Sequence, residues 1–100
     1  MDQKTTIAIK DNSFARQFET TVEQGLLSVE YSFQERKIFL TKIQAPEGFA
    51  NEEIVSEFLT LIMEIAYERK LKVVPIFPKI AQFFKKNSRY KDLLPPGIKI

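Results

Sequence analysis

Neither cysteine nor histidine occurs anywhere in the 100-residue chain, and that pair of absences removes more chemistry than any other feature of the composition. Disulfides, thiolate zinc sites and imidazole metal ligands are excluded, as is every scheme in which a histidine activates a nucleophile. An excess of one charge sign is also missing. Fifteen Lys and Arg against 13 Asp and Glu leave a net charge of +2, too little for a whole-molecule field that would gather nucleic acid or an anionic membrane. No stretch approaches the ~20 consecutive apolar residues of a membrane span. The opening MDQKTTIAIKDN lacks the apolar run of a secretory signal, so a cytoplasmic protein with no membrane partner is expected.

What is present is the balance of an ordinary globular protein: 44% hydrophobic and 28% charged residues, with no repeat and no linker-like tract. A chain of this length builds one compact domain, here expected over 1–100. Hydrophobic periodicity changes once along it. In the first half it is two, with Leu27, Val29, Tyr31 and Phe33 alternating against Leu26, Ser28, Glu30 and Ser32, which is the pattern of a half-buried strand. Phe14 and Phe18 extend the pattern upstream, and EQG at 23–25 and QERK at 34–37 supply short polar turns. Three antiparallel strands are predicted at 14–21, 26–33 and 37–43. The alternation of Ile7 and Ile9 adds an edge strand over Thr5 to Lys10.

After Pro46 and Gly48 the spacing becomes helical: Ile54, Phe58, Leu61, Ile62, Ile65 and Ala66 recur at three and four residues. Asn51 is the expected N-cap of a helix over 51–69, with Arg69 and Lys70 at the negative end of its dipole. LKVVPI, residues 71–76, reads as a short buried strand limited by Pro75. Pro78 opens a second helix whose apolar face is Ile80, Phe83 and Phe84 and which ends near Asn87. The expected architecture is mixed α/β: an antiparallel meander, then a strand–helix–strand unit with a right-handed parallel crossover, then a closing helix.

The strings QFETTVEQGLLSVEYSF and LKVVPIFPKIAQFFKKNSRYKDLL, with a Thr at the end of the third strand and a helix between, resemble the smallest single-domain branch of the GNAT superfamily of acetyl-CoA-dependent N-acetyltransferases. The similarity spans about residues 7–94. It implies a coenzyme slot between the strands 37–43 and 71–76, which would part to admit the pantetheine arm, with the pyrophosphate on the turn entering the 51–69 helix. By this resemblance the slot positions are Thr41, Ile43, Asn51, Glu53, Ile54, Pro75 and Phe77, the ligand is acetyl-CoA, and the acceptor is an amine. Family members carry a basic G-x-G turn at that point, where glycine lets backbone amides approach phosphate. Here the two glycine positions fall at Asn51 and Glu53, with two extra residues in the preceding loop. Many relatives place a Cys where this chain has Phe77, and often a His where it has Asn87. Catalysis would then rest on Glu30 or Tyr31 as base and Tyr90 as proton donor to the leaving thiolate.

The same residues have a plainer reading. Asn51 with Glu52 and Glu53 makes a well-capped first turn, the acids complementing the helix dipole by about 0.3–1 kcal/mol each. On this reading the chain is a non-catalytic binding or assembly module on a GNAT scaffold that no longer binds coenzyme A. Lys79, Lys85, Lys86, Arg89 and Lys91, interleaved with Phe83, Phe84 and Tyr90, form either a phosphate grip or a solvated basic helix face; the second is favoured, against nucleic acid. In the terminal LLPPGIKI, Ile98 and Ile100 can pair along a sheet edge, within the chain or in a homodimer.

Overall fold

The computed structural model describes residues 7–100. Its elements in chain order are β1 (Lys10–Asn12), β2 (Gln17–Val22), β3 (Gly25–Gln34), β4 (Lys37–Gln44), α1 (Glu52–Arg69), β5 (Lys72–Pro75), α2 (Pro78–Lys86) and a 3₁₀ helix, Ser88–Leu93. The five strands form one mixed sheet in the order β1-β2-β3-β4-β5. The first four run antiparallel and β5 lies parallel to β4, so α1 is the crossover of a βαβ unit.

Register explains which side chains meet. Phe18 faces Val29, Thr20 faces Leu27, Tyr31 faces Leu40 and Ile38 faces Val73. These residues share one face and all are buried; apart from Thr20 they belong to a single hydrophobic cluster with residues of α1 and α2. Strict alternation along β4 would turn Ile43 away from Leu40. A bulge prevents this: Glu30 pairs with Lys42 but Tyr31 with Leu40, leaving Thr41 as the extra residue. The bulge keeps Ile38, Leu40 and Ile43 on the packed face, and it bends β4 where its pairing with β5 ends.

Helix α1 buries Val55, Phe58, Leu59, Ile62, Met63 and Ala66. The buried stripe is thus rotated from the one expected, with Ile54, Leu61 and Ile65 only half-buried. Val55 and Leu59, on that rotated stripe, are the residues that α1 turns toward α2. The helix closes with the amides of Lys70 and Leu71 bonding the carbonyls of Tyr67 and Ala66. This crossed pair requires a left-handed residue, and Lys70 supplies it at φ 60° without the freedom of glycine. No helix among the described residues is long and apolar enough to cross a membrane.

Three expected elements are corrected. The second strand begins at Gln17, not Phe14. Asn12 Oδ1 accepts the Ala15 amide and Arg16 is left-handed at φ 59°, so residues 13–16 turn and Phe14 projects into solvent, 98% exposed. The edge strand is Lys10–Asn12 rather than Thr5–Lys10; Thr5 and Thr6 lie outside the described residues, while Ile7 and Ile9 pack on the core. Ile98 and Ile100 form no strand. The Ile98 amide bonds Pro95 O in a turn, and Ile100 rests half-buried against the core, because two prolines and Gly97 bring the chain back over the helices.

Two substitutions test this reading of the core. Thr20 is 3% exposed and its hydroxyl has no hydrogen-bond partner, so Thr20→Val should stabilise the fold by about 1 kcal/mol by removing a desolvated donor. Lys70→Gly should add up to about 1 kcal/mol by relieving the left-handed cap, offset partly by the flexibility of the unfolded chain. Urea midpoints read both effects.

Candidate functional site

The pairing of β4 with β5 stops abruptly. Its last register is Leu40 with Pro75, and the Leu40 carbonyl then accepts both the Ile76 amide at 3.1 Å and the Phe77 amide at 3.2 Å. Beyond this point β4 runs on to Gln44 while the other chain turns into α2. Thr41–Gln44 therefore have no strand partner on that side among the described residues. The crevice beyond the carboxyl ends of parallel strands is where open α/β sheets take ligands. Of the residues singled out in the sequence, Thr41 and Ile43 lie on this free segment, Pro75 ends β5, and Phe77 is the N-cap of α2. Asn51, Glu53 and Ile54 stand at the start of α1.

The first turn of α1 is closed by its own side chain. Asn51 Oδ1 accepts the Glu53 amide at 3.0 Å and the Ile54 amide at 3.2 Å, the donors that an anion at this helix end would use. Glu52 leans across to α2, where Lys79 Nζ stands 3.1 Å from its carboxylate. Both residues of this pair line an open cleft of about 170 Å³ between α1 and α2, whose polar lining also includes Ser56, Gln82, Lys86 and Asn87. Both partners of the pair are largely exposed, so its contribution to stability is small. The Glu52–Lys79 pairing was not legible in the sequence, since 27 positions separate the two residues; only the basic character of α2 signalled a partner for the acids. Asn87 caps α2, its side-chain amide donating to Phe83 O at 2.9 Å.

The catalytic candidates separate. Glu30 and Tyr31 are neighbours in β3 and point to opposite faces of the sheet. Glu30 is half-buried opposite Lys42, and its carbonyl accepts the Thr41 hydroxyl at 3.2 Å, which sets it beside the bulge. Tyr31 is buried, and its hydroxyl donates to Asp11 Oδ1 at 2.5 Å; the other Asp11 oxygen is held by Arg69 at 2.8 Å. Burial first, and then the bond to Asp11, push the Tyr31 phenol up to about 12. It is a neutral donor at physiological pH, unsuited to proton abstraction, and it ties β1, β3 and the end of α1 together.

Tyr90 belongs to another group. Its ring stacks on Phe83 with centroids 5.8 Å apart, and its hydroxyl accepts from Arg89 at 2.7 Å. Tyr67 lies against it and donates to Asp92, a bond that raises the Tyr67 phenol to about 12. In the basic cluster, Lys79 and Arg89 are thus engaged locally, and Lys91 reaches Ile100 O at 3.4 Å. The aromatic side chains Phe83, Phe84 and Tyr90 are core.

No protein-family model matches this chain, and no curated protein matches it.

Two measurements follow from this geometry. Asn51→Ala should lower stability by about 1 kcal/mol, whereas Asn51→Gly should cost only a few tenths, as read by thermal melts. Both raised phenols lie above their unfolded value near 10, so the stability they contribute is complete below pH 10 and is lost as pH rises through about 12. Absorbance at the phenolate band should show Tyr31→Phe and Tyr67→Phe each removing one high-pH transition.

Proposed function

We propose that the chain is a GNAT-like, acyl-CoA-binding protein of N-acetyltransferase type, with the coenzyme's pantetheine arm along the free side of Thr41–Gln44. The observation that carries this reading is the end of β4–β5 pairing at Leu40 and Pro75 while β4 continues for four residues. A backbone-lined slot of that kind recognises an extended amide-bearing ligand with few particular side chains. The cleft between α1 and α2 adds Lys79 and Lys86, cations suited to the coenzyme's phosphates. In the transfer step an acceptor amine attacks the thioester carbonyl, the carbon–sulfur bond breaks, and the amine's proton passes through water to Glu30 beside the bulge. The thiolate takes a proton from solvent.

A second reading has its own support. The amides that would hold a diphosphate already bond Asn51, and Glu52 and Glu53 stand in the same turn. A carboxylate about 4 Å from a phosphate costs roughly 1 kcal/mol in water and several times that where solvent is excluded, and about 1.4 kcal/mol is tenfold in affinity. On this reading the scaffold serves as a non-catalytic binding or assembly module.

Calorimetry with acetyl-CoA and CoA separates the two. Micromolar binding is expected for the first, and heat-silent titration at millimolar ligand would reject it in favour of the second. Asn51→Gly with Glu53→Gly should tighten coenzyme binding by about tenfold or more through relief of the capping and charge competition. Glu30→Gln should leave binding unchanged and abolish thiol release in the presence of an amine panel.

A further inference from the structure

Lysine is an unexpected residue at the end of α1. Lys70 sits in the left-handed conformation at φ 60°, which glycine adopts freely and a residue with a Cβ does not. Backbone strain of this kind collects at ligand clamps and switches. Here it sets Lys70 on the wall of a cleft of about 300 Å³, formed where the last turn of α1, the start of β5 and the 3₁₀ helix meet. Lys72 lines the same cleft, Tyr67 and Leu71 give it apolar surface, and its acidic residue is Asp92.

The charges in this cleft do not cancel. Two lysines against one aspartate leave the lining net positive, and the Asp92 carboxylate is engaged by the Tyr67 hydroxyl, which donates to its Oδ1. Lys72 Nζ bonds the Asp92 backbone carbonyl at 2.9 Å, a neutral acceptor that leaves the ammonium charge unpaired. Neither Lys70 nor Lys72 forms an ion pair among the described residues. Register adds a third cation. Lys37 is the partner of Lys72 across the β4–β5 ladder, so the two side chains leave the sheet from adjacent positions on one face. Like charges gathered this way repel, and an anion placed among them reverses that cost.

We propose that this cleft is a binding site for a small phosphomonoester, its phosphate held by Lys70 and Lys72 and its apolar body resting on Tyr67 and Leu71. Charge selects the head group. A phosphomonoester carries about −1.5 to −2 at pH 7 and matches two ammonium donors, where a carboxylate would neutralise only one. Volume selects the rest. A cleft of about 300 Å³ lies at the lower limit of small-molecule sites, so the body is compact, and Tyr67, 40% exposed, offers it a ring face. The cleft is built where β4 and β5 begin, whereas Thr41–Gln44 lies at the opposite end of β4. The site is therefore independent of the acyl-CoA reading.

Phenyl phosphate is the probe, with inorganic phosphate and phenol as its two halves. In amide correlation spectra of the full chain, phenyl phosphate should shift Lys70, Leu71, Lys72 and Leu93 saturably, with a dissociation constant below about 1 mM and at least about tenfold tighter than either half. Lys70→Gly should weaken binding about tenfold or more while melting no lower than the wild type, because it removes the charge and relieves the strain together. Lys72→Gln should weaken it comparably, and Lys10→Gln, at the far edge of the sheet, should leave it unchanged. No saturable shift at about 10 mM phenyl phosphate would overturn the proposal. So would undiminished affinity in Lys70→Gly, inorganic phosphate binding as tightly as the ester, or a loss in Lys10→Gln equal to that in Lys72→Gln, which marks diffuse attraction to net charge. An oligonucleotide without terminal phosphate that displaces the probe at lower concentration would overturn it in favour of a nucleic-acid surface.

Discussion

One carbonyl group organises this molecule. The Leu40 oxygen takes two successive amides, from Ile76 and Phe77, and in doing so ends the parallel pairing of β4 with β5. Everything downstream depends on that stop. Had β5 continued beside β4, no backbone of Thr41–Gln44 would be open, and Pro78 could not begin α2 where it does. The bulge at Thr41 is the complementary adjustment on the other strand, bending β4 away while returning Ile43 to the packed face. A local irregularity is thereby reconciled with an unbroken core.

The start of α1 shows how one position serves opposing demands. Helix ends need their amides satisfied, and a short polar side chain at the N-cap does so at once. Phosphate sites need the same amides left open. Asn51 resolves the choice toward the helix, with a geometry that a competing anion would have to displace. Glu52 adds to the balance by engaging Lys79, so that an approaching anion meets a cation already partnered. Both contacts are exposed and individually weak.

The sequence disclosed the layout because periodicity reports burial directly. The four long elements Gly25–Gln34, Lys37–Gln44, Glu52–Arg69 and Pro78–Lys86 fall within two residues of their expected bounds, and the Asn51 cap was readable from its place before two acids. Where reading failed, the deciding interactions were not periodic. Phe14 mimics a strand residue, and only the Asn12 side chain, bonding three residues ahead, turns the chain there. The Asp11 carboxylate, joining Tyr31 to Arg69 across 20 and 58 positions, has no local signature. Glu30 and Tyr31, adjacent in sequence, had to diverge, because consecutive strand residues face opposite ways.

Pro75 carries one more consequence. Lys72 and Ile76 direct their amides toward β4, so Val73 and Pro75 turn theirs outward at the rim of the sheet, and the second of these has no hydrogen to offer. An incoming strand would find the ladder cut short at the last residue of a segment only four residues long. That interruption works as a gatekeeper against templated fibre growth on this side, and leaves the β5 rim a poor template for lengthening the sheet.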